Sequence, residues 1–202
     1  MKIKVACGII AITLLVSVAC NALAVSNKSG RKRVRSATVS KTEVMGQTDP
    51  KKALLYIIRP SSLGFGVDTW SFCDDKVIGL NRGKSYFFTY LEPGPHIIWS
   101  KSENISPYGM TFEAGKAYYF KEGISMGVLS ARVKLSPITE DEGKAIIDKH
   151  EFKMLTLTDA GLKRGERIAT KKYSKVEKKW IKRKDREAAR SSSKSGKRKR
   201  MK

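Results

Sequence analysis

The chain predicts a mainly β protein: a small antiparallel β-sandwich followed by a short helix and flanked by basic segments. Three observations carry this. Between residues 52 and 136, short runs of β-forming residues alternate with Gly, Pro, Asn and Asp turn chemistry about every 8 to 12 residues, the spacing of a sandwich or barrel. That stretch holds one thiol, Cys73, so no internal disulfide framework can form and a hydrophobic core must hold the domain. Charge is segregated: residues 51–140 carry 11 basic and 8 acidic side chains, whereas residues 163–202 carry 19 and 4. The net charge of +22 over 202 residues therefore describes the arms and not the body.

The elements follow in order. Residues 53–58 are a continuous apolar run, as a strand covered on both faces requires, and Arg59-Pro60 ends it. Runs 68–73 and 76–80 flank Asp74-Asp75, a tight hairpin turn. Run 85–91 puts Tyr86, Phe88 and Tyr90 on one face. Pro93-Gly94 supplies a turn, since Pro sets φ and Gly tolerates positive φ, and run 96–100 leads out of it. Runs 108–112 and 116–120 are joined by Ala114-Gly115, and a last run, 128–135, follows a Gly-bracketed loop at 123–127. Thr139 and Glu142 form a capping-box pair ahead of Ala145, Ile146 and Ile147, which predicts a short helix up to His150. Residues 152–157 read as a further strand or an extended segment.

The flanks read differently. Lys2 and Lys4, the apolar run 5–19 and Ala22-Leu23-Ala24 have the order of a secretory signal peptide, too short and wrongly flanked for a membrane span. Cleavage after Ala24 yields a soluble protein. Val16-Ser17-Val18-Ala19-Cys20 resembles a bacterial lipobox, which makes Cys20 a lipidation candidate, with Ser17 departing from the usual large aliphatic residue. Residues 25–51 then form a basic flexible linker, 52–157 the β-sandwich domain with its helix, and 158–202 a basic tail, partly helical and then disordered. In that tail Ala169, Tyr173, Val176 and Trp180 fall on one helical face. Lys171, Lys172, Lys175, Lys178, Lys179, Lys182 and Arg183 cover the rest, a pattern suited to an anionic membrane interface. A solvated, partly helical tail is the competing reading.

Several motifs together resemble a known family. Lys52-Ala53-Leu54-Leu55-Tyr56-Ile57-Ile58-Arg59-Pro60-Ser61 is similar to the opening of an uncharacterised bacterial envelope family, the domain of unknown function numbered twenty-eight forty-six. Lys76-Val77-Ile78-Gly79, Tyr86-Phe87, Leu91-Glu92-Pro93-Gly94-Pro95-His96, Glu113-Ala114-Gly115-Lys116-Ala117-Tyr118-Tyr119 and Gly123-Ile124-Ser125-Met126-Gly127 continue the resemblance, which covers roughly residues 52–148. It implies an exported protein, often a lipoprotein, with no assigned enzymatic activity. The hairpin and the Pro-Gly turn also resemble PEGA-type surface modules, which implies an immunoglobulin-like or transthyretin-like sandwich by analogy. Asp74-Asp75 and Pro95 depart from the family pattern, and both alter turn geometry rather than a reactive group.

The residues show no catalytic constellation, and no cofactor or metal is expected. His96 and His150 are the two histidines, and neither has a Cys, Asp or His at ligand spacing, which argues against zinc. Nucleophile elbows and glycine-rich phosphate loops are missing from the sequence. Cys73, in a strand-like run, reads as a small buried hydrophobe. Arg59, Trp70, Tyr90, Trp99 and Arg132 are contact-type side chains and Met126 sits in a candidate recognition loop, although aromatics of this kind also fill cores. The expected protein is therefore a non-enzymatic, exported envelope module, periplasmic or outer-membrane-associated. Its expected partners are an anionic membrane or cell-wall polymer, with an envelope protein partner also open. Nucleic acid is the second choice, through clusters such as Lys197-Arg198-Lys199-Arg200.

Overall fold

Along Ala53–Arg59, Ala53, Leu55 and Ile57 belong to one apolar cluster and Leu54, Tyr56 and Ile58 to another, and all seven residues of the strand are buried. This is period-two alternation in a strand with both faces covered, and it sets the layering of the molecule. The computed structural model describes residues 35–39, 45–127, 131–149 and 152–200. In chain order the elements are β1 (Ala37–Val39), β2 (Ala53–Arg59), β3 (Thr69–Cys73), β4 (Lys76–Asn81), β5 (Ser85–Leu91) and β6 (Gly94–Lys101). Then follow β7 (Ile105–Phe112), β8 (Ala117–Met126), β9 (Ala131–Ile138), α1 (Glu140–Lys149), β10 (Lys153–Leu157) and α2 (Asp159–Arg200).

The strands form a six-stranded sheet, ordered β1-β10-β5-β2-β8-β9, and a four-stranded sheet, ordered β4-β3-β6-β7. The mainly β, mostly antiparallel architecture is the one the sequence predicts. Pairing is parallel at β2–β8 and β10–β5. The first of these joins strands separated in the chain by β5 and by all four strands of the small sheet. Between the sheets lie Leu55, Ile57, Phe87, Phe120 and Leu135 from the large one and Ile98 and Phe112 from the small one.

Each sheet also has its outer face covered. Ile146 and Ile147 of α1 pack with Leu54, Tyr56, Ile58, Tyr86 and Tyr119 on the large sheet. Ala169, Tyr173 and Val176 of α2 pack with Trp70, Phe72, Leu80 and Trp99 on the small one. Close approach of α2 depends on a small residue at Gly165, where a Cβ would lie 2.5 Å from Val77 Cγ2. Thr158 caps the helix by accepting from Gly161 N at 3.1 Å through Oγ1.

Several expectations change here. Residues 25–51 are not all linker: Ala37–Val39 is an edge strand on β10, and Tyr56 Oη donates to Gly46 O at 3.1 Å. The basic tail is one helix to Arg200, running through the Ser-rich stretch that composition reads as disordered; its many Lys and Arg residues are good helix formers. Its apolar stripe covers the small sheet, so it is unavailable for a membrane. Residues 123–126 are strand rather than loop, because β8 stays paired with β9 through Met126↔Ala131. Thr139 caps α1 as expected, accepting from Glu142 N at 3.2 Å, whereas the Glu142 carboxylate accepts from Lys121 Nζ at 2.7 Å. The signal segment 1–24, Cys20 and His150 lie outside the described residues.

Candidate functional site: a basic groove beside the long helix

The open edge of the sandwich is stitched by side chains. Asn104, just before β7, accepts from Val133 N at 2.7 Å and donates to Val133 O at 2.9 Å, mimicking a strand partner for β9. Ser106 Oγ accepts from Leu135 N at 2.9 Å. These bonds bring the edge of the small sheet against that of the large one. On β9, Val133 and Leu135 turn inward, so alternation leaves Arg132 and Lys134 exposed.

Helix α2 passes beside this edge. Trp180 seats on Gly109, where a Cβ would come within 2.7 Å of the indole ring, and its ring centroid lies 6.0 Å from that of Tyr108. Arg183 donates from Nη1 to Pro107 O at 3.1 Å and from Nε to Glu187 Oε1 at 2.8 Å, with its guanidinium 5.8 Å from the Tyr108 and Trp180 rings. Lys179 Nζ donates to Ile105 O. Burial, and then the charges of Arg132, Lys175 and Arg183, hold the Lys179 ammonium below the usual lysine range.

The result is a groove of about 700 Å³ whose lining includes Arg132, Lys134, Lys179, Lys182, Arg183 and Arg186. Its one carboxylate, Glu187, is engaged by Arg183. Six cations against one carboxylate give the groove a strongly positive lining: two are fixed as anchors, and Arg132, Lys134, Lys182 and Arg186 stand exposed around them.

The structure thus joins sequence candidates Arg132, Lys179, Lys182 and Arg183, and it adds Lys134 and Arg186. Strand alternation could have found Lys134, two residues from Arg132; helical spacing from Lys179, Lys182 and Arg183 could have found Arg186. Lys171, Lys172, Lys175 and Lys178 are exposed along the same helix. Trp180 is half-buried by its Gly109 seat, and Met126 is exposed at the end of β8.

Three candidates are corrected. Arg59 is buried between the sheets and donates to Thr69 Oγ1 at 2.6 Å and Gly64 O at 2.8 Å. Trp99 is buried, stacks on Phe72 at 3.9 Å between centroids and donates to Asp74 O at 2.8 Å. Trp70 is buried under α2, with Arg164 5.6 Å from its ring centroid. Tyr90, partly exposed, donates to Gln47 O at 2.8 Å. The isolation of His96 is also corrected: pairing of β3 with β6 sets it beside Cys73 and Asp74. Burial, reinforced by the Asp74 carboxylate, pushes the Cys73 thiol up to about 12, which argues against a free nucleophile.

No family model matches the chain, and no solved structure matches it. Among curated proteins, the chain is similar to an uncharacterized protein of Haemophilus influenzae (strain ATCC 51907 / DSM 11121 / KW20 / Rd), 32% identical over 96 residues. That alignment covers 47% of this chain and 57% of the relative, so the chain spans a little over half the length of the curated relative it matches.

Proposed function

We propose that the protein is a non-enzymatic, exported module of the cell envelope that holds anionic surfaces, membrane or cell-wall polymer, in the groove between β9 and α2. The observation that carries this reading is the convergence of six cations on one groove with a single carboxylate. The signal-peptide pattern of residues 1–24 supports an envelope setting. Attachment works through the exposed basic face of α2 and the cations of β9, with the apolar stripe of the helix retained by the small sheet. Each Lys or Arg near an anionic membrane contributes about 1 kcal/mol.

Co-sedimentation with vesicles of anionic phospholipid tests the reading. Arg132→Gln with Lys182→Gln removes two exposed charges and weakens binding about 30-fold, while circular dichroism stays unchanged. Equal sedimentation of wild type and double variant overturns the assignment of the groove. Titration of duplex DNA at the same salt concentration tests the second reading, and tighter binding to DNA than to vesicles reverses the order of partners.

A further inference from the structure

The β3–β4 hairpin and the start of β6 bring three metal-ligating side chains together away from the groove. Cys73 Sγ, a carboxylate oxygen of Asp74 and a ring nitrogen of His96 all lie within 4.8 Å of one another. His96 Nδ1 is 2.6 Å from Asp74 Oδ2, and Cys73 Sγ is 3.7 Å from the same oxygen. The other ring nitrogen, Nε2, lies 2.9 Å from Glu92 O, where it can only donate. That bond spends the one proton of a neutral imidazole on Nε2 and leaves the Nδ1 lone pair facing a carboxylate oxygen. Two such atoms at 2.6 Å must have a proton or a metal ion between them.

The surroundings favour a built site. A metal-ligating histidine commonly donates its remaining N–H to a backbone carbonyl, which sets the tautomer and the ring orientation, as Glu92 O does here. Asp74 is held on three sides: its N donates to Ile97 O at 2.9 Å, its Oδ1 accepts from Ile97 N at 2.9 Å, and its O accepts from Trp99 Nε1 at 2.8 Å. Its φ of 50° is left-handed, a conformation that Asp tolerates better than most residues. Cys73 is 8% exposed, while the side chains of Asp74 and His96 are 31% and 21% exposed, so the cluster opens to solvent on one side.

We propose that Cys73 Sγ, Asp74 Oδ2 and His96 Nδ1 form a site for a divalent ion of the zinc class. One thiolate, one imidazole and one carboxylate suit this borderline-soft ion and leave its fourth tetrahedral position open. Binding breaks the Cys73 S–H bond and forms S–metal, N–metal and O–metal bonds. The thiol proton, and any proton between Nδ1 and Oδ2, leave to solvent. Nδ1 and Oδ2 part to about 3.4 Å, as metal–ligand bonds of about 2.1 Å at a tetrahedral angle demand.

Cobalt(II) titration of the full chain, with absorbance as the readout, tests the site. The expected result is a thiolate-to-cobalt charge-transfer band that saturates at one ion per chain and is bleached by Zn²⁺. Cys73→Ser abolishes the band, and His96→Gln weakens binding about tenfold or more. A Cys7→Ser/Cys20→Ser double variant retains the band, which separates Cys73 from the other two thiols of the chain. Circular dichroism confirms that each variant is folded. No band in the wild type at saturating Co²⁺, or a band unchanged in folded Cys73→Ser or His96→Gln, overturns the proposal. Such an outcome leaves an ordinary histidine–aspartate hydrogen bond.

Discussion

Arg59 and Glu122, both buried, meet at Asn81 in a polar layer between the sheets. Asn81 Nδ2 donates to Glu122 Oε2 at 3.3 Å, and its carbonyl accepts from Arg59 Nη1 at 3.5 Å. Glu122 Oε1 accepts from Ser100 at 2.7 Å and Ser71 at 2.9 Å. Burial pushes the Glu122 carboxyl up to about 6, against the pull of those hydrogen bonds and of Arg59. A carboxyl raised from 4.5 to about 6 on folding holds its proton more tightly in the native state, so stability falls as pH rises through that window. The loss is about 2 kcal/mol. Urea midpoints at pH 4.5 and pH 7.5 check this, because Glu122→Gln removes that portion of the slope.

Arg59 carries the complementary charge, and burial lowers its pKa against the support of Glu122 and Asp68. Its Nε lacks a hydrogen-bond partner among the described residues. Arg59→Met strips the donors from the carbonyls of Leu63, Gly64 and Val67 and leaves the Glu122 charge unopposed. The expected cost is about 3–5 kcal/mol, read from denaturant unfolding. In the sequence Arg59 reads as a contact-type side chain at the end of an apolar run. In space it continues the inward series Ala53, Leu55, Ile57, and strand alternation overrules the usual preference of Arg for solvent.

Helix α2 is the element whose role changes most. Ala169, Tyr173, Val176 and Trp180 form the stripe that helical periodicity predicts, and Ala169 and Val176 are fully buried. Sequence periodicity shows that such a stripe needs a partner and is silent on which one. The partner is the outer face of the small sheet, where Trp70, Phe72, Leu80 and Trp99 would otherwise face water. Gly109→Val drives a branched side chain into the Trp180 ring and undocks this part of the helix, at about 1–3 kcal/mol. Faster amide exchange in α2 around Trp180 is the measurement. The Asp74-Asp75 hairpin shows the same limit: its turn is visible locally, and its contact with His96 depends on β3–β6 register.

At the scale of the whole molecule, covered faces and charge distribution act together. Because α2 is both a layer of the fold and the basic arm, deleting residues 159–202 exposes the Trp70–Trp99 face as well as removing charge. Such a truncation is expected to aggregate and to bind a hydrophobic dye, at about 2 kcal/mol per large side chain re-exposed. Point changes at Lys182 and Arg132 separate the two roles. Raising ionic strength from 0.15 M to 1 M shortens the screening length from about 8 Å to about 3 Å. Binding of anionic vesicles is therefore expected to fall steeply over that range, and salt-independent sedimentation would point to an apolar contact instead.

Features that depend on neighbours along the chain are legible in the sequence. Period-two runs and turn residues located β2 to β7 within a few residues, the Thr139 cap located α1, and four-three-four spacing identified the apolar stripe of α2. Counting charges located the basic arm. Which faces meet is set by the three-dimensional fold. It sent Arg59, Trp70 and Trp99 into the interior, gathered Arg132 with Lys179, Lys182 and Arg183, and set His96 against Asp74, 22 residues away. The reason is physical. Backbone geometry repeats over two or 3.6 residues and writes itself into local patterns. Sheet order and register instead depend on how distant strands bury one another, which a linear pattern does not encode.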